Sequence, residues 1–224
     1  MPGFYLLSIL LLLNFYQKPP PGTILIENLF VDKTEISNRA WIEFLLYKSL
    51  ELDSVEIKTL LPDSSNFWYR SYDNRDKPVV LISYDQAIAY CNWRSKVVSE
   101  KLDYTVVYRL PTKLEWIKIA DYYMKLSSRK IKKEIARTKV KVQEASNEFT
   151  LLEIRDPKNR LYHYFTNVSE MTAKKGVAMG GNNYQINDTE FNPAQTFYYT
   201  SPNPYLGFRC VAEIKLSGQS PKKH

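Results

Sequence analysis

The sequence predicts an α+β domain with much irregular structure and a single aromatic-rich core. Three observations carry this. About 200 residues follow an N-terminal hydrophobic run, a length that fits one domain with a sizeable core. Seventeen tyrosines and ten phenylalanines stand against seven glycines, a composition that suits loops packed on rings better than a glycine-jointed α/β sheet. Helix-start signatures at Ser37, Ser83 and Thr112 alternate with short β-like runs.

The elements follow in order. Thr23 to Phe30 reads as a strand and leads into Val31. Ser37 is placed to cap a helix over Asn38 to Lys48, with Trp41, Phe44 and Leu45 on one face. Asp53 to Lys77 has no settled period and reads as a long loop, and Pro78 to Ile82 reads as a short apolar strand. Ser83 with Gln86 forms a capping box for a second helix that turns Ala87, Tyr90 and Cys91 toward the core. Asp103 to Arg109 is extended. Thr112 with Glu115 then starts a third helix through Trp116, Ile119, Ala120 and Tyr123.

Residues Phe4 to Phe15 form a largely apolar run, followed by Gln17, Lys18 and the prolines Pro19 to Pro21. The run is short for a bilayer span and has the length of a secretory hydrophobic region, although no Lys or Arg precedes it. The expected organisation is therefore a signal peptide or hydrophobic segment at 1–21, one domain at 22–216 and a basic, disordered tail at 217–224. Secretion, or residence in the periplasm or cell envelope, is the expected location. A buried or interfacial N-terminal segment is the alternative.

The formal charge is +7. Eight Lys or Arg and one Glu fall between Lys125 and Lys141. Leu126, Ile131, Ile135 and Val140 keep rough helical spacing there, so a solvated helix covering one side of the domain is expected. Contact with a protein partner or a peripheral membrane contact is the alternative. Nucleic acid is not an expected partner, because no recognised module accompanies the charge and aromatics are not interleaved with it.

Only two cysteines occur, Cys91 and Cys210, and only two histidines, His163 and His224. Neither cysteine has a histidine near it in sequence. A bridged structural pair is expected over two free thiols, and closing so long a loop would contribute about 3–5 kcal/mol. Between Asp156 and Glu170 oxygen-bearing side chains gather, and Asn167 with Glu170 could serve a hard cation such as calcium. A hydrogen-bonded turn is the bland reading of the same residues.

Several segments in order resemble the formylglycine-generating enzyme or sulfatase-modifying-factor family. They are Val31 to Asn38, Val80 to Trp93, Arg109-Leu110-Pro111-Thr112-Lys113-Leu114-Glu115-Trp116, Asn167-Val168-Ser169-Glu170-Met171, Gly180-Gly181 and Gly207-Phe208-Arg209-Cys210. The resemblance implies a single α+β domain of the C-type-lectin-like kind. It also implies a disulfide between Cys91 and Cys210 and a calcium ion at Asn167 and Glu170. Departures weaken the second implication: Thr166 replaces a glycine, and Ser169 and Met171 replace tryptophans.

Catalytic members of the family carry a further cysteine pair that binds copper and oxidises a substrate cysteine. Gly181 to Tyr205 contains no cysteine, so formylglycine generation is not expected, since neither phenol nor amide replaces a thiolate on Cu(I). The related iron-dependent sulfoxide synthases need a histidine-bearing domain for which the chain has no room. A pseudoenzyme is expected, with no catalytic residue and no firm cofactor.

Noncatalytic members of the family occur in envelope machinery, including gliding-motility and secretion lipoproteins. The resemblance thus implies a structural or protein-interaction role with a partner in the cell envelope. A glycan-binding lectin-like module is the alternative. The expected binding surface combines Trp68, Tyr69, Arg70, Tyr72, Arg75, Tyr198, Tyr199 and Tyr205.

Overall fold

The computed structural model describes residues 18–63, 68–145, 151–153, 160–188 and 192–215. The N-terminal hydrophobic run and the C-terminal tail fall outside the described residues.

The expected first strand is two strands. Thr23–Ile26 (β1) and Leu29–Asp32 (β2) form an antiparallel hairpin with Ile26 opposite Leu29. Glu27 takes a φ of 54° in the two-residue turn, where glycine is the usual occupant. β2 pairs with Val211–Lys215 (β8), which in turn pairs with Thr105–Arg109 (β3), giving the sheet order β1-β2-β8-β3. A second sheet joins Ser169–Met171 (β4), Val177–Met179 (β5), Thr196–Tyr198 (β6) and Leu206–Gly207 (β7) in the order β6-β5-β4-β7. β4 and β7 are parallel.

The helix starts lie where the caps placed them. Ser37 accepts a hydrogen bond from the Ala40 amide and opens Asn38–Lys48 (α1), which buries Asn38, Trp41, Phe44 and Leu45. The expected long loop contains a further helix, Ser54–Leu60 (α2), started by a capping box of Asp53 and Glu56, and then two 3-10 turns at Trp68–Arg70 and Tyr72–Asn74. α2 buries none of its residues, so no apolar stripe announced it. Pro78 to Ile82 joins no sheet. It is an irregular buried run with a single bridge from Pro78 to Ser37, and Leu81 is left-handed at φ 58°.

Tyr84–Ser99 (α3) and Lys113–Glu144 (α4) both begin with complete capping boxes. α4 kinks at Ser127 and continues through the basic stretch. Its buried face there is Ile131, Thr138 and Val142, with Ile135 half-buried; Leu126 and Val140, expected on that face, are exposed. The i, i+4, i+7, i+11 spacing of these four residues keeps one stripe inward, and the kink resets the register that Leu126 would have continued.

The first sheet separates two cores. Phe30 and Ala212, paired across β2 and β8, face a cluster with Trp41, Phe44, Tyr90, Tyr108 and Phe208 under α1 and α3. Val31 and Val211, the next pair, face Trp116, Ile119, Tyr123, Leu161 and Phe165 under α4. The period-2 alternation of the strands makes this division. Rings carry both clusters: Trp41 stacks on Tyr90 at 5.7 Å and Trp116 on Tyr164 at 4.6 Å.

Candidate functional site

The chain crosses from the second sheet to the first between β7 and β8, so Phe208, Arg209 and Cys210 enter the interior in succession. Arg209 is completely buried, and its fork of donors is used throughout. Nε donates to Glu170 Oε1 at 2.7 Å, Nη1 to the Asp32 carbonyl at 3.0 Å and Nη2 to the Tyr162 carbonyl at 3.1 Å. The guanidinium also lies 4.8 Å from the Tyr164 ring centroid. Glu170 Oε2 accepts from the Trp116 indole at 3.1 Å. Burial pushes the Glu170 carboxyl upward and Arg209 pulls it back.

Asn167, left-handed at φ 74°, holds the other side of this polar centre. Its Nδ2 donates to Glu35 Oε1 at 3.1 Å, and its Oδ1 accepts from the Leu152 amide at 2.9 Å and from Asn183 Nδ2 at 3.2 Å. Burial raises Glu35 to about 8, with Arg209 lowering it and Glu170 adding to the rise.

These residues do not fit a calcium ion. Calcium takes six to eight oxygens, whereas both Glu170 oxygens and the Asn167 oxygen are already held by protein donors, and Arg209 already pairs with the Glu170 carboxylate. Among the described residues no group of three His, Cys, Asp or Glu is arranged for a metal. The cluster instead ties Leu152, Tyr162 and the Asp32 carbonyl to the C-terminal core.

The expected disulfide is corrected. Cys91 and Cys210 are free thiols, both buried, with sulfurs 3.4 Å apart. That is a thiol contact, far beyond the roughly 2.05 Å of a sulfur–sulfur bond. Burial, then the Cys91 thiol and Asp32, push Cys210 well above an ordinary thiol. Asp32 accepts the Cys210 amide at 2.9 Å and pairs with Arg94 at 2.7 Å, and both thiols are buried in the core. With both cysteines there and none between Gly181 and Tyr205, the chain lacks the pair on which the family's copper chemistry depends. That region holds an amide network in its place: Gln195 Nε2 and Asn182 Nδ2 both donate to Gln185 Oε1, at 2.6 and 3.1 Å.

The expected aromatic surface is divided. Tyr69 is core, at 2% exposure, with its hydroxyl receiving Arg70 Nε at 3.0 Å. Trp68 packs on Val80, Leu151 and Val168. Tyr72 is exposed beneath the Arg75 guanidinium, 3.9 Å from its ring centroid. Tyr198 is exposed on β6, an edge strand, while Tyr199 turns toward the larger core. Tyr205 is half-buried against the exposed ring of Tyr184, at 4.6 Å.

A cleft of about 1190 Å³ opens between the second half of α4 and residues 151–153 and 160–163. Lys130, Lys133, Arg137 and Lys141 line one wall; Leu151, Leu152, Arg160 and Tyr162 contribute to the other. His163, buried and left-handed at φ 53°, also borders it. Burial, then the Arg209 and Lys141 cations, hold its imidazole down at about 3, so it is a neutral wall. Composition flagged the charge of α4. The cleft is not legible in the sequence because its second wall comes from a segment with no period of its own, although the four cations stand at i, i+3, i+7 and i+11.

A crystal structure of CarF resembles the chain with a TM-score of 0.52 and 16% identity, over 84% of this chain and 87% of that one. A structure of PvdO from Pseudomonas aeruginosa matches with a TM-score of 0.42 and 11% identity, over 88% and 86%. The first likeness is one of fold. No curated protein matches the sequence. The model of the sulfatase-modifying factor enzyme 1-like domain matches residues 10–214, and with its mixed α+β architecture and the Gly-Phe-Arg crossing at its centre the chain belongs to that family.

Proposed function

We propose that this protein is a noncatalytic member of its family that works by binding another protein, in the cell envelope or outside the cell. The observation that carries the reading is the position of the two cysteines. Both are buried in the core, leaving no thiolate for copper or for a substrate cysteine, while the fold around them is complete. A stable base with variable surface is suited to recognition. The N-terminal hydrophobic run supports the location.

The contact features available are the Tyr72–Arg75 pair, the Tyr184–Tyr205 pair and the basic cleft. Aromatic rings backed by arginine are common anchors of protein interfaces. Crosslinking mass spectrometry on the tagged protein in its native host tests the reading. Reproducible crosslinks from these surfaces to one envelope protein are expected. Exclusively cytosolic neighbours would overturn the location, and sugar binding without any protein partner would favour a lectin-like module instead.

A further inference from the structure

We infer that the cleft along α4 holds an extended acidic peptide segment of a partner protein. This deepens the interaction reading above and rests on it. The charges of α4 lie in register. Lys130, Lys133, Arg137 and Lys141 fall on one helix face, and none makes an ion pair among the described residues. Like charges at i, i+4 repel, and this stripe contains two such steps in succession, Lys133 to Arg137 and Arg137 to Lys141. An anionic ligand laid along the stripe relieves that repulsion.

Shape selects the class of anion. Eleven residues of helix separate Lys130 from Lys141, a run of about 16 Å, which an extended chain covers with about five residues. A bilayer is flat and does not enter a concave groove. Alternate side chains of an extended peptide point to opposite sides, so carboxylates can face the cationic wall while apolar residues face the partly exposed Leu152 and Tyr162. Glu134, Glu144 and Glu153 also border the cleft and disfavour a continuous phosphate backbone, which cannot skip positions as a peptide can. Glu134 has a structural duty as well, since its Oε1 accepts the His163 amide at 2.9 Å and fixes the wall.

The experiment is fluorescence anisotropy of the full chain with a labelled octapeptide alternating Glu and Leu. Its Gln–Leu counterpart, anionic phosphatidylglycerol vesicles and a single-stranded oligonucleotide run beside it. Saturable binding of the acidic peptide is expected, absent for the Gln–Leu form and weakened at least tenfold between 50 and 300 mM salt, roughly the sensitivity of charge-steered contacts. Arg137→Glu with Lys141→Glu, both solvent-facing, should weaken it at least about tenfold with an unchanged thermal melt. Lys58→Glu, on α2, should leave it unchanged. No peptide binding at 1 mM overturns the inference, as does binding indifferent to the double reversal. Vesicle or oligonucleotide binding lost on the reversal, without peptide binding, also overturns it. The broader reading fails separately, if no envelope protein crosslinks to any surface of the chain.

Discussion

Arg209 and Glu170 form a buried ion pair, Nε to Oε1 at 2.7 Å, in which each side chain is 1% exposed. The pair stands at the crossing between the two sheets, and its remaining donors and acceptors are satisfied by Asp32, Tyr162 and Trp116. Removing either partner strands a charge in the core. Arg209→Ala and Glu170→Ala should each cost about 3–5 kcal/mol in urea unfolding, and the double variant less than their sum. The same geometry makes the melt of the wild-type protein indifferent to millimolar calcium or to EDTA. A calcium-dependent rise in melting temperature, abolished by Glu170→Gln, would contradict the description of this centre.

Glu35 gives stability a pH dependence of defined sign. Its ordinary value is 4.5 and burial lifts it to about 8 in the folded protein. Between those values the folded state keeps a proton that the unfolded chain has released, so this contribution is complete below 4.5 and is lost as pH rises through 8. Glu35→Gln mimics the protonated form and can keep the contact with Asn167. The variant should match wild type near pH 5 and exceed it near pH 9 by on the order of 4 kcal/mol. Equal destabilisation at both pH values would contradict the assignment.

The thiols should be silent until the protein unfolds. Ellman's reagent should detect no thiol in the native protein over minutes and both after denaturation without reductant, since Cys91 and Cys210 are unbridged and buried. Reductant should leave the melting temperature unchanged. A linked Cys91–Cys210 peptide in a nonreducing map would contradict this.

Gly207 is a steric requirement of the crossing. A Cβ there would lie 2.8 Å from Val168 Cγ2 and 3.2 Å from the Val79 carbonyl. Gly207→Ala should therefore destabilise by about 1–3 kcal/mol, the range of overpacked cores. An unchanged urea midpoint would show that the crossing has slack.

The helices were legible because their signals are local. Ser37, Ser83 with Gln86, and Thr112 with Glu115 cap helices that begin within a residue of the expected positions. The hairpin at Glu27-Asn28 was not, because its turn lacks the glycine that announces such turns. Asp53 with Glu56 carries the same box as the other helices, but α2 has no buried face to support it. At the site, the family motifs located Glu170, Arg209 and both cysteines. What joins them is long-range: Arg209 reaches Asp32 across 177 residues, and no spacing rule conveys whether two core thiols meet at bonding or contact distance. The Trp68 to Tyr205 surface divided for a like reason, since rings such as Tyr69 were needed in the core.

The most direct test of the account places a photo-crosslinking amino acid at position 137, 184 or 46 of the full chain and irradiates intact cells. Adducts to one envelope protein are expected from position 137 in the cleft, with or without adducts from position 184. None is expected from position 46, where Leu46 is exposed on α1 away from the cleft. The absence of any protein adduct from 137 and 184 would contradict the claim that this family member acts by holding a partner.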